Sequence, residues 1–95
     1  MLHESIHVRI GEFLKIYQER EGQPAPKTLV NIVASTHEDW EKRLRELREL
    51  GWRYRVIKKK EGSRVRTYYQ LVHWEPWPSD PAAAIREAEH RKGVR

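Results

Sequence analysis

The chain has 95 residues, room for one domain with a modest core, and 38% of them are hydrophobic against 35% charged. It contains no cysteine, which excludes a disulfide framework, a thiolate metal site and a cysteine nucleophile. The net charge of +5 is unevenly placed: Glu41 to Arg66 holds 11 Lys or Arg against 4 Glu, while the remainder is slightly acidic. Such concentration suits a polyanionic partner, although a solvated helix followed by a charged hairpin would also carry it. No apolar run nears the roughly 18 residues that span a bilayer, and no signal-peptide pattern opens the chain, so the expectation is a soluble, cytoplasmic protein with no membrane partner.

Ser5–Glu21 reads as the first helix, because Ile6, Ile10, Phe13, Leu14 and Tyr17 form one stripe of a 3.6-residue repeat. Gly22 and the "QPAP" run end it. "KTLVNIVAS" then predicts a short second helix whose Leu29, Ile32 and Val33 share a face, with a strand as the alternative for so β-branched a segment. Thr36 reads as the N-cap of a third helix, its hydroxyl accepting from the backbone N–H of Asp39. In that helix Trp40, Leu44 and Leu47 form the buried stripe, and Gly51 supplies the left-handed stop.

Trp52–Lys58 and Arg64–Val72 alternate as two strands of an antiparallel hairpin, linked through "KKEGSR" with Gly62 at the turn. Two Pro-containing turns carry Trp74 and Trp77, and Asp80 with Pro81 opens a last helix whose apolar face is only Ala84, Ile85 and Ala88. The order helix, helix, helix, strand, turn, strand, helix predicts an α+β fold, a winged helix-turn-helix with three helices, a two-stranded antiparallel wing and an extra C-terminal helix. Residues 1–78 would be the DNA-binding domain, and residues 79–95 the extra helix.

In that docking the third helix enters the major groove and the wing lies beside it. Outside the core stripe, His37, Glu38, Glu41, Lys42 and Arg45 would reach base edges. A bidentate Arg45–guanine contact is worth roughly 1–3 kcal/mol of discrimination, and the acids would accept from cytosine or exclude wrong sequences. Arg43 and Arg48 suit flanking phosphates, as do Lys58, Lys59, Lys60, Arg64 and Arg66 in the wing. Trp40 and Trp52 read as core, while Trp74 and Trp77 either pack the last helix or offer a flat docking surface. "HEDWE" lacks the second His of a zincin helix, and His3 with His7 has no third ligand nearby. The expectation is therefore no catalytic centre, no metal and no cofactor.

The run "WEKRLRELRELGWRYRV…YYQLVHWEPWP" resembles the winged-helix module of modification-dependent restriction endonucleases, among them nucleases that cut adenine-methylated GATC and others that join the module to an HNH domain. The resemblance rests on Trp40, Arg43, Leu44, Arg45, Leu47, Arg48, Gly51 and Trp52, then on Tyr69–Leu71, and covers about Ile6 to Pro78. It implies a reader of duplex DNA containing N6-methyladenine. By position, Thr36, His37, Glu38, Asp39 and Trp40 with Arg43 and Arg45 would meet the bases, and the hairpin the backbone. Thr36 would also serve the backbone, and Trp40 would be the aromatic surface for a methyl group. The implied partner is a nuclease domain, covalently linked or associated, with "EHRKGVR" as the start of a linker; the isolated module would be a monomer. Two other readings stay open: a stand-alone transcription regulator, and a winged helix that uses Trp74 and Trp77 for protein contacts.

Overall fold

The computed structural model describes residues 5–34 and 37–93, and among these it forms four α-helices and a three-stranded antiparallel sheet. Helix α1 (Ile6–Glu21) starts at Ser5, whose hydroxyl accepts from the His7 N–H, and ends at Gly22 in the left-handed conformation. Its apolar stripe supplies Ile10 and Leu14 to the centre of the core. Strand β1 (Ala25–Pro26) lies within the "QPAP" run and pairs with β3 (Arg64–His73), a third strand that two residues could not announce by alternation.

Helix α2 (Lys27–Val33) follows directly. Its expected inner face is rotated: Val30 and Ala34 are buried, whereas Leu29 is exposed and Ile32 is 65% exposed. The preceding strand fixes the phase at which so short a helix begins, and hydrophobicity at three neighbouring positions cannot override that.

The third helix is shorter than the sequence suggests. The expected cap, Thr36, falls outside the described residues; α3 begins at Trp40, with Asp39 before it, and ends at Glu46. A 3₁₀ turn (Leu47–Leu50) carries the chain on to Gly51, whose φ of 86° makes the stop. Strand β2 (Arg53–Glu61) then pairs with β3 from Arg53↔His73 to Glu61↔Arg64. The connection is only Gly62 and Ser63, with the positive φ on the glycine, which is the demand of a type II′ hairpin turn.

Helix α4 (Pro81–Gly93) lies against the 3₁₀ turn and α1, burying Ile85, with Asp80 accepting from the Ala83 N–H at its start. Between hairpin and α4, Trp77 stacks on Trp52 with centroids 4.4 Å apart and donates from its indole N–H to Glu12. Trp74 stays 42% exposed. No helix among the described residues is long and apolar enough to cross a membrane.

Candidate nucleic-acid interface

Two pieces of the fold hold the basic segment in place. The first is a polar joint between α1 and α3. Glu46 is buried, and its Oε1 accepts from His7 Nε2 at 2.9 Å and from Arg43 Nη1 at 2.8 Å. Arg43 also donates to Asp39 at 2.9 Å, and this guanidinium holds the Asp39 carboxyl below its ordinary value. The second is the Gln18 side chain of α1, which clamps the backbone of β3: its amide donates to the Leu71 carbonyl and its oxygen accepts from the Leu71 N–H, both at 2.8 Å. A side-chain amide here continues the ladder where β1 has ended.

These joints redistribute the expected roles. Trp40 is only 5% exposed and its indole N–H donates to Asn31, so it is a core residue and presents no face to a methyl group. Arg43 is committed to Asp39 and Glu46 and is not a free phosphate ligand. His37, Glu38 and Asp39 are exposed but precede α3, so they do not belong to a helical reading face. Glu41 is exposed on α3 and pairs with Lys27 at 3.4 Å, and Glu49 pairs with Lys92 of α4 at 2.6 Å, rather than with residues one turn away.

What remains on the outer side of α3 and the 3₁₀ turn that follows it is Lys42 and Arg45 on the helix and Arg48 on the turn, which have no carboxylate within ion-pairing distance among the described residues. Arg48 lies over the Tyr54 ring, 5.0 Å from its centroid. Burial raises the Tyr54 hydroxyl's pKa, against the pull of Arg48 and Arg45. Between α3 and the hairpin opens a recess of about 250 Å³, with Arg45, Arg48 and Glu41 on one wall and Lys58 and Val56 on the other.

The hairpin's cations divide by strand alternation. The pairs Val56↔Tyr69, Lys58↔Thr67 and Lys60↔Val65 share the α3 side. On the opposite face stand Arg55↔Gln70, Ile57↔Tyr68, Lys59↔Arg66 and Glu61↔Arg64. Among the described residues, only Arg66 of the hairpin cations has an acidic partner, Glu61 at 2.8 Å. Lys58, Lys59, Lys60, Arg64 and Arg66 are all exposed, as expected, but they do not face one way.

Sequence reasoning missed Arg55, which alternation places beside Lys59, and it missed Val56 and Val65, apolar yet 49% and 61% exposed amid the cations. The alternation itself was the available signal for all three. No group of three or more His, Cys, Asp or Glu among the described residues could hold a metal ion. No family model, curated protein or solved structure matches this chain.

Proposed function

We propose that the chain is a winged-helix module that binds duplex DNA through α3 and the β2–β3 wing. It would be the specificity part of a modification-dependent restriction endonuclease, recognising N6-methyladenine in a short, GATC-like site. The observation that carries the duplex reading is the set of unpaired cations around the recess between α3 and the wing: Arg45 and Arg48 on one wall, Lys58 on the other. Glu41 on the same wall is taken by Lys27, so among the described residues these cations have no ion-pair partner and their charge is left for phosphate; every phosphate neutralised releases condensed counterions.

The methyl-dependent part rests on the resemblance of the "LRELGW" region and the Tyr69–Leu71 strand end to those readers. With Trp40 buried, the apolar contact for a methyl group passes to Val56, the exposed apolar side chain that lines the recess. The binding requires no chemistry in this chain; a nuclease domain would supply it.

The test is the affinity of the chain for one GATC duplex in unmethylated, hemimethylated and fully adenine-methylated forms at about 0.15 M salt. A preference of tenfold or more for a methylated form, about 1.4 kcal/mol, is expected. Equal affinity for the three would remove methyl reading of GATC and leave a duplex binder of another specificity. No binding to any duplex would remove the nucleic-acid reading altogether.

A further inference from the structure

The division of the wing's cations between two faces constrains how a duplex could sit. Lys58 lines the recess opposite Arg45 and Arg48, and alternation puts Lys60 on the same face beyond it. Arg55, Lys59 and Arg66 look the other way, around Tyr68, with the Lys59 ammonium 5.3 Å from the Tyr68 ring centroid. A phosphate backbone lying in the recess reaches the first set and leaves the second in solvent. Yet Lys59 and Arg66 are direct cross-strand partners, and like charges placed opposite one another destabilise a hairpin. Glu61 offsets this only for Arg66. The far face therefore carries Arg55, Lys59, Arg64 and Arg66 against the single acid Glu61, a net positive surface that an anion would relieve.

Thickness decides which duplex feature offers two backbones at once. A two-stranded ribbon with side chains on both faces is about 10 Å thick, by the spacing of packed sheets. The minor groove of B-form DNA, about 6 Å wide, is too narrow for it, whereas the major groove, about 12 Å wide, admits a β-ribbon. The wing is also long enough. From the Val56↔Tyr69 pair to the turn it runs five further residues, about 17 Å at the usual strand rise, and all of Lys58–Arg66 is exposed.

We propose that the wing itself enters the major groove edge-on: one phosphate backbone occupies the recess between α3 and the wing, and the other lies along the far face formed by Arg55, Lys59 and Arg66. Helix α3 then rides outside the groove, over the first backbone. This departs from the expected docking, in which the third helix fills the groove. It agrees with the shortness of α3, seven residues, and with the tying up of Glu41 and Glu49 by Lys27 and Lys92. The inference rests on the duplex-binding reading, not on methyl recognition.

Two double variants of the full chain test it, both confined to exposed side chains: Lys58→Ala with Lys60→Ala on the near face, and Arg55→Ala with Lys59→Ala on the far face. Each pair should weaken duplex binding at least tenfold and lower the slope of log K against log salt by about 1.8, two phosphates' worth. A second measurement uses the absence of native cysteine. Ser63→Cys at the wing tip should form a disulfide with a thiol tethered to the major-groove edge of a base, and none with a thiol tethered in the minor groove. If the far-face pair binds like the unaltered chain, or if only the minor-groove thiol is captured, edge-on insertion is wrong while duplex binding stands. If the unaltered chain binds no duplex, the underlying reading fails first, and the two failures are told apart by that control.

Discussion

Glu46 is structural in the fold although nothing in its local sequence marks it as such. It sits on a helix flank among Arg and Glu neighbours, yet its carboxylate is buried and receives His7 from α1 and Arg43 from its own helix. Removing the acceptor leaves two donors facing each other in a site largely closed to water. Glu46→Ala should therefore cost roughly 3 kcal/mol, the range for a buried pair broken on one side, measured by urea unfolding. Loss of less than about 0.5 kcal/mol would place the joint among surface pairs of little value. Tyr69 gives a second prediction, in pH. Its burial, with smaller contributions from Glu41 and Tyr54, pushes the hydroxyl from 10.0 up to about 12. The folded state then keeps a proton that the unfolded chain gives up, so this contribution is intact below pH 10 and lost as pH rises toward 12. Stability should fall by about 1.4 kcal/mol per pH unit across that window. Tyr69→Phe should flatten the fall, and an unchanged alkaline profile in that variant would assign the loss to other groups.

At the scale of elements, Gly11 is the position where α1 meets the tail. A Cβ built there would lie 2.6 Å from Trp77 Cη2 and 3.1 Å from Trp52 Cζ3, so the stacked indoles occupy the space a side chain would take. Helix propensity alone favours Gly11→Ala by about 1 kcal/mol. The contact predicts the opposite sign: net destabilisation, with a change in tryptophan emission as Trp77 lifts from Trp52. A stabilised variant with unaltered emission would mean the indoles yield without cost. The same contrast explains what the sequence could disclose. Helix α1 and the hairpin follow from periodicity, because a 3.6-residue repeat in one and alternation in the other run over many residues. The start of α3 does not, because Thr36 and Asp39 resemble a capping pair while residues 38–39 form a turn before Trp40. Strand β1, two residues long, has no period to read. Gln18–Leu71, His7–Glu46 and Trp77–Glu12 join residues far apart in the chain, and no local pattern announces such pairs. At the candidate interface the cations were legible as a block and their alternation within each strand was readable too; which of the two faces meets α3 required the fold.

For the molecule as a whole, stability and the proposed binding surface are carried by different sides. Helix α4 packs on α1 and the 3₁₀ turn, while the recess between α3 and the wing is lined without it. A 13-residue helix with so thin an apolar face is marginal alone and depends on the seat it finds for Ile85, which is 2% exposed. Ending the chain at Pro78 uncovers that seat and removes the Lys92–Glu49 pair. The loss of Ile85 burial is worth about 2 kcal/mol, and the exposed ion pair adds little. Trp77 remains in the shortened chain, still donating to Glu12 and stacked on Trp52, so the sheet and α1 keep their junction. The shortened chain should accordingly unfold at lower urea concentration and yet bind the same duplex within about twofold, below half a kcal/mol, when both are measured in one buffer where it is fully folded. A large fall in affinity under those conditions would mean that α4 also touches DNA, or that Glu49, freed from Lys92, repels the backbone beside Arg45 and Arg48. Glu49→Gln in the shortened chain separates these causes, since it restores binding only if repulsion is responsible.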